Sequence, residues 1–237
     1  MAQQKGKNGD NANRWIVLAM VLLVLGTGVA FSILGQNNRE NAPLAGLDGF
    51  TLKPAVASTI DVDNGSAITF NPGLPTQVDV WEDPQCPGCK NFENVMGDYL
   101  DSLARDKKAT VRFHVLSFKG PESVRSANAA FCAADENHFL DFHNALFSVQ
   151  TPGEGSGFFS TETLIKIGKE IGIDSPKFTD CVSKGSKADL VQTHYDSMGK
   201  FGVQSTPTIF INGKIWTPTP SAVGFSLDEF RSAVEAG

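Results

Sequence analysis

Hydrophobic and polar positions follow three different rhythms along this chain. From Trp15 to Leu34 twenty residues pass without a charge, enough to cross a ~30 Å hydrocarbon core as a helix at ~1.5 Å per residue. From Thr76 to Trp81 polar and apolar residues alternate with period two, the pattern of a strand. Directly afterwards Phe92, Val95, Met96, Tyr99, Leu100 and Leu103 recur at the spacing of an amphipathic helix.

The same reading extends over the rest of the chain. Thr59–Val62 and Ala67–Phe70 are short strand-like runs around Asp63-Asn64-Gly65, where Asn-Gly predicts a hairpin turn. Thr110–Phe118 reads as a buried strand that Gly120-Pro121 ends. Helical stretches follow at Ser123–Ala134, Asn137–Val149, Thr161–Gly172 with Thr-Glu-Thr as its cap, Ser175–Ser183 and Lys187–Lys200. Strand character returns at Thr208–Ile211 and Lys214–Thr217 on either side of Asn212-Gly213, and a last helix covers Leu227–Glu235. The order is strand, helix, strand, helical block, hairpin, helix, in an α/β chain without internal repeats.

Charge changes the picture at the N-terminus. Residues 1–14 carry Lys5, Lys7 and Arg14 against Asp10, so the positive-inside rule makes them a cytoplasmic tail, 15–34 a transmembrane signal anchor, and everything beyond extracytoplasmic. A cleaved signal peptide is the competing reading, because Gly28-Val29-Ala30 and Ala30-Phe31-Ser32 are acceptable cleavage contexts; the apolar run continuing to Leu34 favours retention. Residues 35–57 are polar, contain Asn, Pro, Gly and Ala without periodicity, and read as a flexible linker that needs no fold. The net charge of −6 falls to −8 once the tail is set aside, and with no basic stretch suited to a phosphate backbone, nucleic acid is not expected as a partner.

The chemistry lies in Cys86-Pro87-Gly88-Cys89, placed where the strand ends and the helix begins. Pro87 suits the first helical position, because it has no amide hydrogen to leave unpaired and its φ is already helical. Cys86 therefore sits at the helix N-terminus, where free N–H groups and the positive end of the dipole favour a thiolate. A stabilised thiolate is a good leaving group, so such a disulfide passes readily to a substrate dithiol. Cys89, one turn on, is the more buried partner that resolves the mixed disulfide. A structural disulfide and half of a zinc site are the bland alternatives; the other two cysteines are not closely spaced, as a zinc site would require. No metal and no cofactor are expected.

These residues, with Phe139–Phe147, Phe178-Thr-Asp-Cys181 and Gly202–Gly213 (Gly-Val-Gln-Ser-Thr-Pro-Thr-Ile-Phe-Ile-Asn-Gly), resemble the DsbA-like thioredoxin-fold oxidoreductases, in particular the membrane-tethered forms of actinobacteria. The resemblance covers about residues 58 to 236. It implies a thioredoxin fold with an all-helical domain inserted between its halves, giving 58–120 as the first half, 121–200 as the insertion and 201–237 as the second half. It also implies a cis bond between Thr206 and Pro207, against the low general frequency of cis X-Pro, and places Thr206 opposite Cys86, where its hydroxyl could donate to the thiolate. In an exported domain Cys132 and Cys181 are expected to pair, as in the resembling proteins.

Two departures from the family pattern stand out. Pro87-Gly88 lacks the histidine of the best-known oxidases, which implies a weaker depression of the Cys86 pKa and a less oxidising site. Val80 stands where many members place an acid that assists proton transfer. Glu82 and Asp83 lie nearer the cysteine; either could take that role through water, but they are expected as exposed loop carboxylates. His114, His138, His143 and His194 show no ligand spacing, and His143 is expected to pack in an aromatic helix.

The expected function is an extracytoplasmic thiol–disulfide oxidoreductase that oxidises exported proteins with paired cysteines. By analogy its reoxidase is a quinone-linked membrane protein, for example a VKOR-like one. A reductase or isomerase with the same site, and a thioredoxin-fold metal chaperone, remain alternatives.

Overall fold

A computed structural model of the protein describes residues 43–219 and 224–236. The expected tail and transmembrane anchor lie outside the described residues. Among the described residues no helix is long and apolar enough to cross a membrane.

Six strands form one mixed sheet: β1 (Thr59–Asp61), β2 (Ala67–Phe70), β3 (Gln77–Glu82), β4 (Thr110–Val115), β5 (Thr208–Ile211) and β6 (Lys214–Trp216), in spatial order β1-β2-β4-β3-β5-β6. β3 and β4 run parallel, with Gln77 opposite Thr110 and Glu82 opposite Val115. The other neighbouring pairs are antiparallel, β3 meeting β5 with Val78 opposite Ile211 and Trp81 opposite Thr208. Parallel neighbours need a crossover, and α1 (Pro87–Arg105) supplies it. The β5–β6 turn is Asn212-Gly213, both at positive φ, and Asn212 Oδ1 accepts from Gln77 N at 2.7 Å, fixing the hairpin to β3.

Period-two alternation sends Val78 and Val80 to one face and Trp81 to the other. The first face meets α1 through Phe92, Met96 and Leu100, all fully buried. Val95, although apolar and at helical spacing, is 37% exposed, because the buried stripe of α1 runs through Glu93, Gly97 and Asp101 instead. On the second face Trp81 stacks on His114 with ring centroids 3.7 Å apart and packs against Phe201.

Five helices, α2 (Pro121–Ala134), α3 (Phe139–Val149), α4 (Thr161–Glu170), α5 (Pro176–Lys184) and α6 (Ala188–Ser197), separate β4 from β5, and α7 (Leu227–Glu235) closes the described chain. Cys132 on α2 is bonded to Cys181 on α5. The cap of α4 is Ser160, whose Oγ accepts from Thr163 N, rather than the threonines that follow. β4 ends at Val115, three residues short of the expected Phe118: Leu116 N still donates to Glu82 O at 2.7 Å, but β3 has no further residue to pair.

Residues 44–57, expected as part of a linker without a fold, lie against the domain as an irregular strap. Leu47 is buried, Leu44 N donates to Glu170 at 2.9 Å, and Val56 N donates to Asn137 O at 3.0 Å. The anchor of this strap is ionic. Arg105 bonds Asp101 at 2.8 Å and Asp141 at 3.0 Å, and its Nη1 donates to Pro54 O at 2.6 Å. Lys53 reaches Asp101 at 2.9 Å. Polar composition marked the segment as irregular, yet its partners sit on distant helices.

Candidate active site

Cys86 is the N-cap of α1, with an extended backbone at φ −75° and ψ 119°, and Pro87 takes the first helical position. Cys86 N donates to Asp83 O at 2.8 Å, which makes the corner between β3 and α1 tight. The Gln150 side chain, at the end of α3, donates to the carbonyls of Pro84 at 2.6 Å and Cys86 at 3.1 Å and holds that corner from outside. The two thiols are free. Cys86 is 7% exposed, while Cys89 is fully covered and packs with Phe147.

The Thr206–Pro207 peptide is cis and lies over this helix start. In its thiol form Cys86 Sγ donates to Thr206 O at 3.5 Å. A Cβ on Gly88 would stand 3.3 Å from Pro207 Cδ and 3.6 Å from Cys86 Sγ, so the two loops leave little space between them.

Electrostatics separates the two sulfurs. The Cys89 thiol, donating to Cys86, leads in holding the Cys86 pKa down to about 5, helped by Thr206 and by the backbone N–H groups of Cys89 and Gly88 against the cost of burial. Cys89 moves the other way, its thiol pushed well above the ordinary range by burial, then by its bond to Cys86 and the charge of Glu82. An ionised, barely exposed sulfur beside a protonated, buried one is what sequential thiol–disulfide exchange requires. These donors supply the depression in the absence of a histidine at position 88.

Glu82 and Asp83 are not exposed loop carboxylates: both are fully buried. Asp83 is held by donors from three directions, Ser123 Oγ at 2.6 Å, Gln85 N at 2.9 Å and Lys119 N at 3.1 Å. Burial raises its pKa to about 6 against those bonds. Glu82, the last residue of β3, points inward and is hydrogen-bonded to His143 Nε2 on α3. Glu93 on α1 joins them, so that ligand atoms of Glu82, Glu93 and His143 all lie within 4.8 Å of one another.

His143 therefore does more than fill the aromatic helix. It does stand in an aromatic column, between Phe139 at 5.2 Å and Phe147 at 5.0 Å, which delivers its ring to the end of β3. Glu93 escaped the sequence reading altogether. The available signal was an acid four residues after Cys89, inside the stripe of Phe92, Met96 and Leu100, where an unpaired charge is not tolerated.

The fold and the site together define a thioredoxin-fold protein with a vicinal dithiol at the start of its central helix. The chain belongs to the thioredoxin family, whose model, described as Thioredoxin, matches residues 71–235. It is similar to the serine/threonine-protein kinase PknE of Mycobacterium tuberculosis, 25% identical over 171 residues, which are 66% of this chain and 30% of PknE. It is also similar to disulfide bond formation protein D of Bacillus subtilis, 27% identical over 165 residues, 64% of this chain and 69% of that protein. Among solved structures, MdbA, a thiol-disulfide oxidoreductase from Corynebacterium matruchotii, shares the fold with a TM-score of 0.63 at 21% identity, over 76% of this chain and 94% of that one. The chain thus spans 30% of the length of the kinase relatives it matches. The expected thioredoxin-fold membership is met.

Proposed function

We propose that the protein is a thiol–disulfide oxidoreductase that introduces disulfide bonds into exported proteins. The observation that carries this reading is the placement of Cys86 at the α1 N-cap, against Thr206–Pro207, with Cys89 buried one turn further on. A substrate thiolate attacks Cys86 Sγ of the oxidised pair and Cys89 leaves. The second substrate thiolate then attacks its own partner in the mixed disulfide and expels Cys86, whose low pKa makes it a good leaving group. Two electrons remain on the dithiol, and a quinone-linked membrane reoxidase, for example a VKOR-like one, takes them.

An extracytoplasmic address is supported by the uncharged run from Trp15 to Leu34 and by the bonded Cys132–Cys181 pair, since disulfides persist in oxidising compartments. In this reading Cys86 exchanges, Cys89 closes the protein's own disulfide and resolves the mixed disulfide when exchange runs the other way, Thr206 and Pro207 present the substrate strand, Pro87 and Gly88 set the helix start, and Cys132–Cys181 is a structural clamp.

The test is the reduction potential of the full-length chain, together with its ability to oxidise a reduced, unfolded protein. A potential well above about −270 mV with net oxidation is expected. A potential near the thioredoxin value, without oxidation, turns the reading to a reductase. Trapping with Cys89→Ala in cells and identifying what is attached to Cys86 then names the clients.

A further inference from the structure

The residue before Cys86 is tied to two segments that have no part in the exchange described so far. Gln85 is buried, its Nε2 donates to Ser123 Oγ at 2.8 Å and to Lys119 O at 3.3 Å, and its Oε1 accepts from Gly155 N at 2.7 Å. Residues 150–160, which join α3 to α4, are therefore stitched to the Cys86 corner at Gln150 and again at Gly155. Further along, Gly157 N and Phe159 N donate to Glu122 at 2.7 and 2.8 Å.

Sheet order places this assembly relative to the reactive sulfur. Cys86 follows β3, Lys119 follows β4, and Thr206–Pro207 directly precedes β5. Because β3 lies between β4 and β5, the two segments flank Cys86 on opposite sides. One flank is the cis-proline loop. The other carries an ion pair, Lys119 Nζ lying 2.9 Å from Glu154 Oε1.

The two halves of that pair are held unequally. The Lys119 main chain is fixed at both of its polar groups, its N donating to Asp83 Oδ2 at 3.1 Å and its O accepting from Gln85. Its ammonium lies 5.2 Å from the centre of the Phe118 ring, a cation–π contact. Glu154 instead projects from between Gly153 and Gly155, in a stretch exposed from residue 152 to residue 157, and a Cβ on either glycine would meet nothing within 4 Å. Exposed ion pairs of this kind are weak and exchange readily. Beside the sulfur that a client must reach stands a fixed cation with a removable counterion. The Lys119 pKa is raised, first by its bond to Glu154 and then by the charges of Cys86 and Asp83, against the cost of burial, which agrees with an ammonium in the field of the reactive sulfur.

We propose that Lys119 is a specificity-determining residue that receives a client carboxylate close to the attacking cysteine, Glu154 occupying that place until the client displaces it. The inference rests on the thiol–disulfide reading above and deepens it by naming a client class, segments with an acidic residue near the reacting cysteine. A client laid between Thr206–Pro207 and Lys119 brings its sulfur to Cys86 Sγ and its carboxylate to Lys119 Nζ. Glu154, on its exposed loop, turns to water, so no charge is left buried without a partner. The bonds made and broken between sulfurs are those already described. The swap acts on encounter and choice of client, as charges at the rim of an interface do.

The experiment is single-turnover reduction of the oxidised full-length chain by three dithiol peptides, identical apart from Glu, Gln or Lys at the residues flanking each cysteine. The proteins are the parent, Glu154→Gln, Lys119→Gln and the charge-swapped Lys119→Glu with Glu154→Lys. The ratio of the Glu-peptide rate to the Lys-peptide rate is compared between proteins, so that each peptide's own thiol reactivity cancels. Glu154→Gln is expected to raise this ratio about fivefold over the parent and Lys119→Gln to lower it by about as much, the scale of one exposed ion pair. The swapped protein should lower it too, although its net charge equals the parent's, because position 119 is the fixed one. These differences should shrink in roughly 1 M salt, where the screening length falls to about 3 Å. A pair that only braces the loop would move all three peptide rates together. Equal ratios in the four proteins, ratios that salt leaves unchanged, or a swapped protein with the parent's ratio overturn the inference. Should a substitution at Lys119 unfold the chain, Glu154→Gln decides alone. A parent that exchanges with none of the peptides, nor with dithiothreitol, fails the underlying reading, whereas a parent that exchanges at ratios shared by all the variants fails only this inference.

Discussion

The Ser123 hydroxyl donates to Asp83 Oδ1 at 2.6 Å, tying the first turn of α2 to the corner that carries Cys86. The Gln85 side chain joins the same hydroxyl at 2.8 Å. Burial leads in raising Asp83 to about 6, and the Ser123 bond opposes it. Because the folded pKa lies above the ordinary ~3.9, the contribution of Asp83 to stability is complete below about pH 4 and is lost as pH rises through about 6. Ser123→Ala withdraws a donor from the ionised form. Its cost should be small near pH 5 and grow to about 2 kcal/mol by about pH 8. Urea unfolding at both pH values checks this, and equal costs would mean that the hydroxyl only packs.

With Cys86 ionising at about 5 and Cys89 only far above neutrality, reduction takes up two protons below pH 5 and one above it. For a two-electron couple each proton is worth about 30 mV per pH unit. The reduction potential should therefore fall by roughly 59 mV per unit in acid and by roughly half that from about pH 6 to 8. Cys89→Ala, which removes the leading donor to the Cys86 sulfur, should move the thiolate absorbance of Cys86 to higher pH. A Cys86 titration indistinguishable from free cysteine would contradict the arrangement.

Much of this was legible in the sequence because it is local. Period-two and helical spacing located β3, β5 and α7 almost to the residue, and Pro87 marked the start of α1. What remained hidden depends on contacts between distant segments. Glu82 reads as a loop acid until α3 brings His143 to it, sixty-one residues away. Asp83 does so until α2 brings Ser123, forty residues away. The strap failed in the same way: a polar, aperiodic stretch carries no sign that Arg105 will bind the carbonyl of Pro54.

Arg105 joins Asp101 and Asp141, whose side chains are 6% and 2% exposed. Removing one partner of a buried ionic group leaves the others uncompensated, so Arg105→Ala should cost roughly 3 kcal/mol. It should also expose the strap to limited proteolysis near Pro54, while Cys86 still reacts with alkylating reagents at the parent rate. Thermal unfolding together with cleavage mapping measures both parts.

Replacing Cys132 and Cys181 together by alanine opens a loop of 49 residues, worth roughly 4 kcal/mol in the chain-entropy model. The variant should unfold at correspondingly lower denaturant and yet exchange disulfides through Cys86 at the parent rate wherever it is folded. Loss of exchange in the folded variant would give this pair a redox part of its own.

The strap grips α1 at Asp101 and Arg105, fifteen or more residues from Cys86 and hence roughly 23 Å or more along the helix. A pull applied to the strap would thus reach the rear of that rod. The reactive sulfur sits at the opposite end, so that a load on the strap would meet the far end of the helix before it met Cys86.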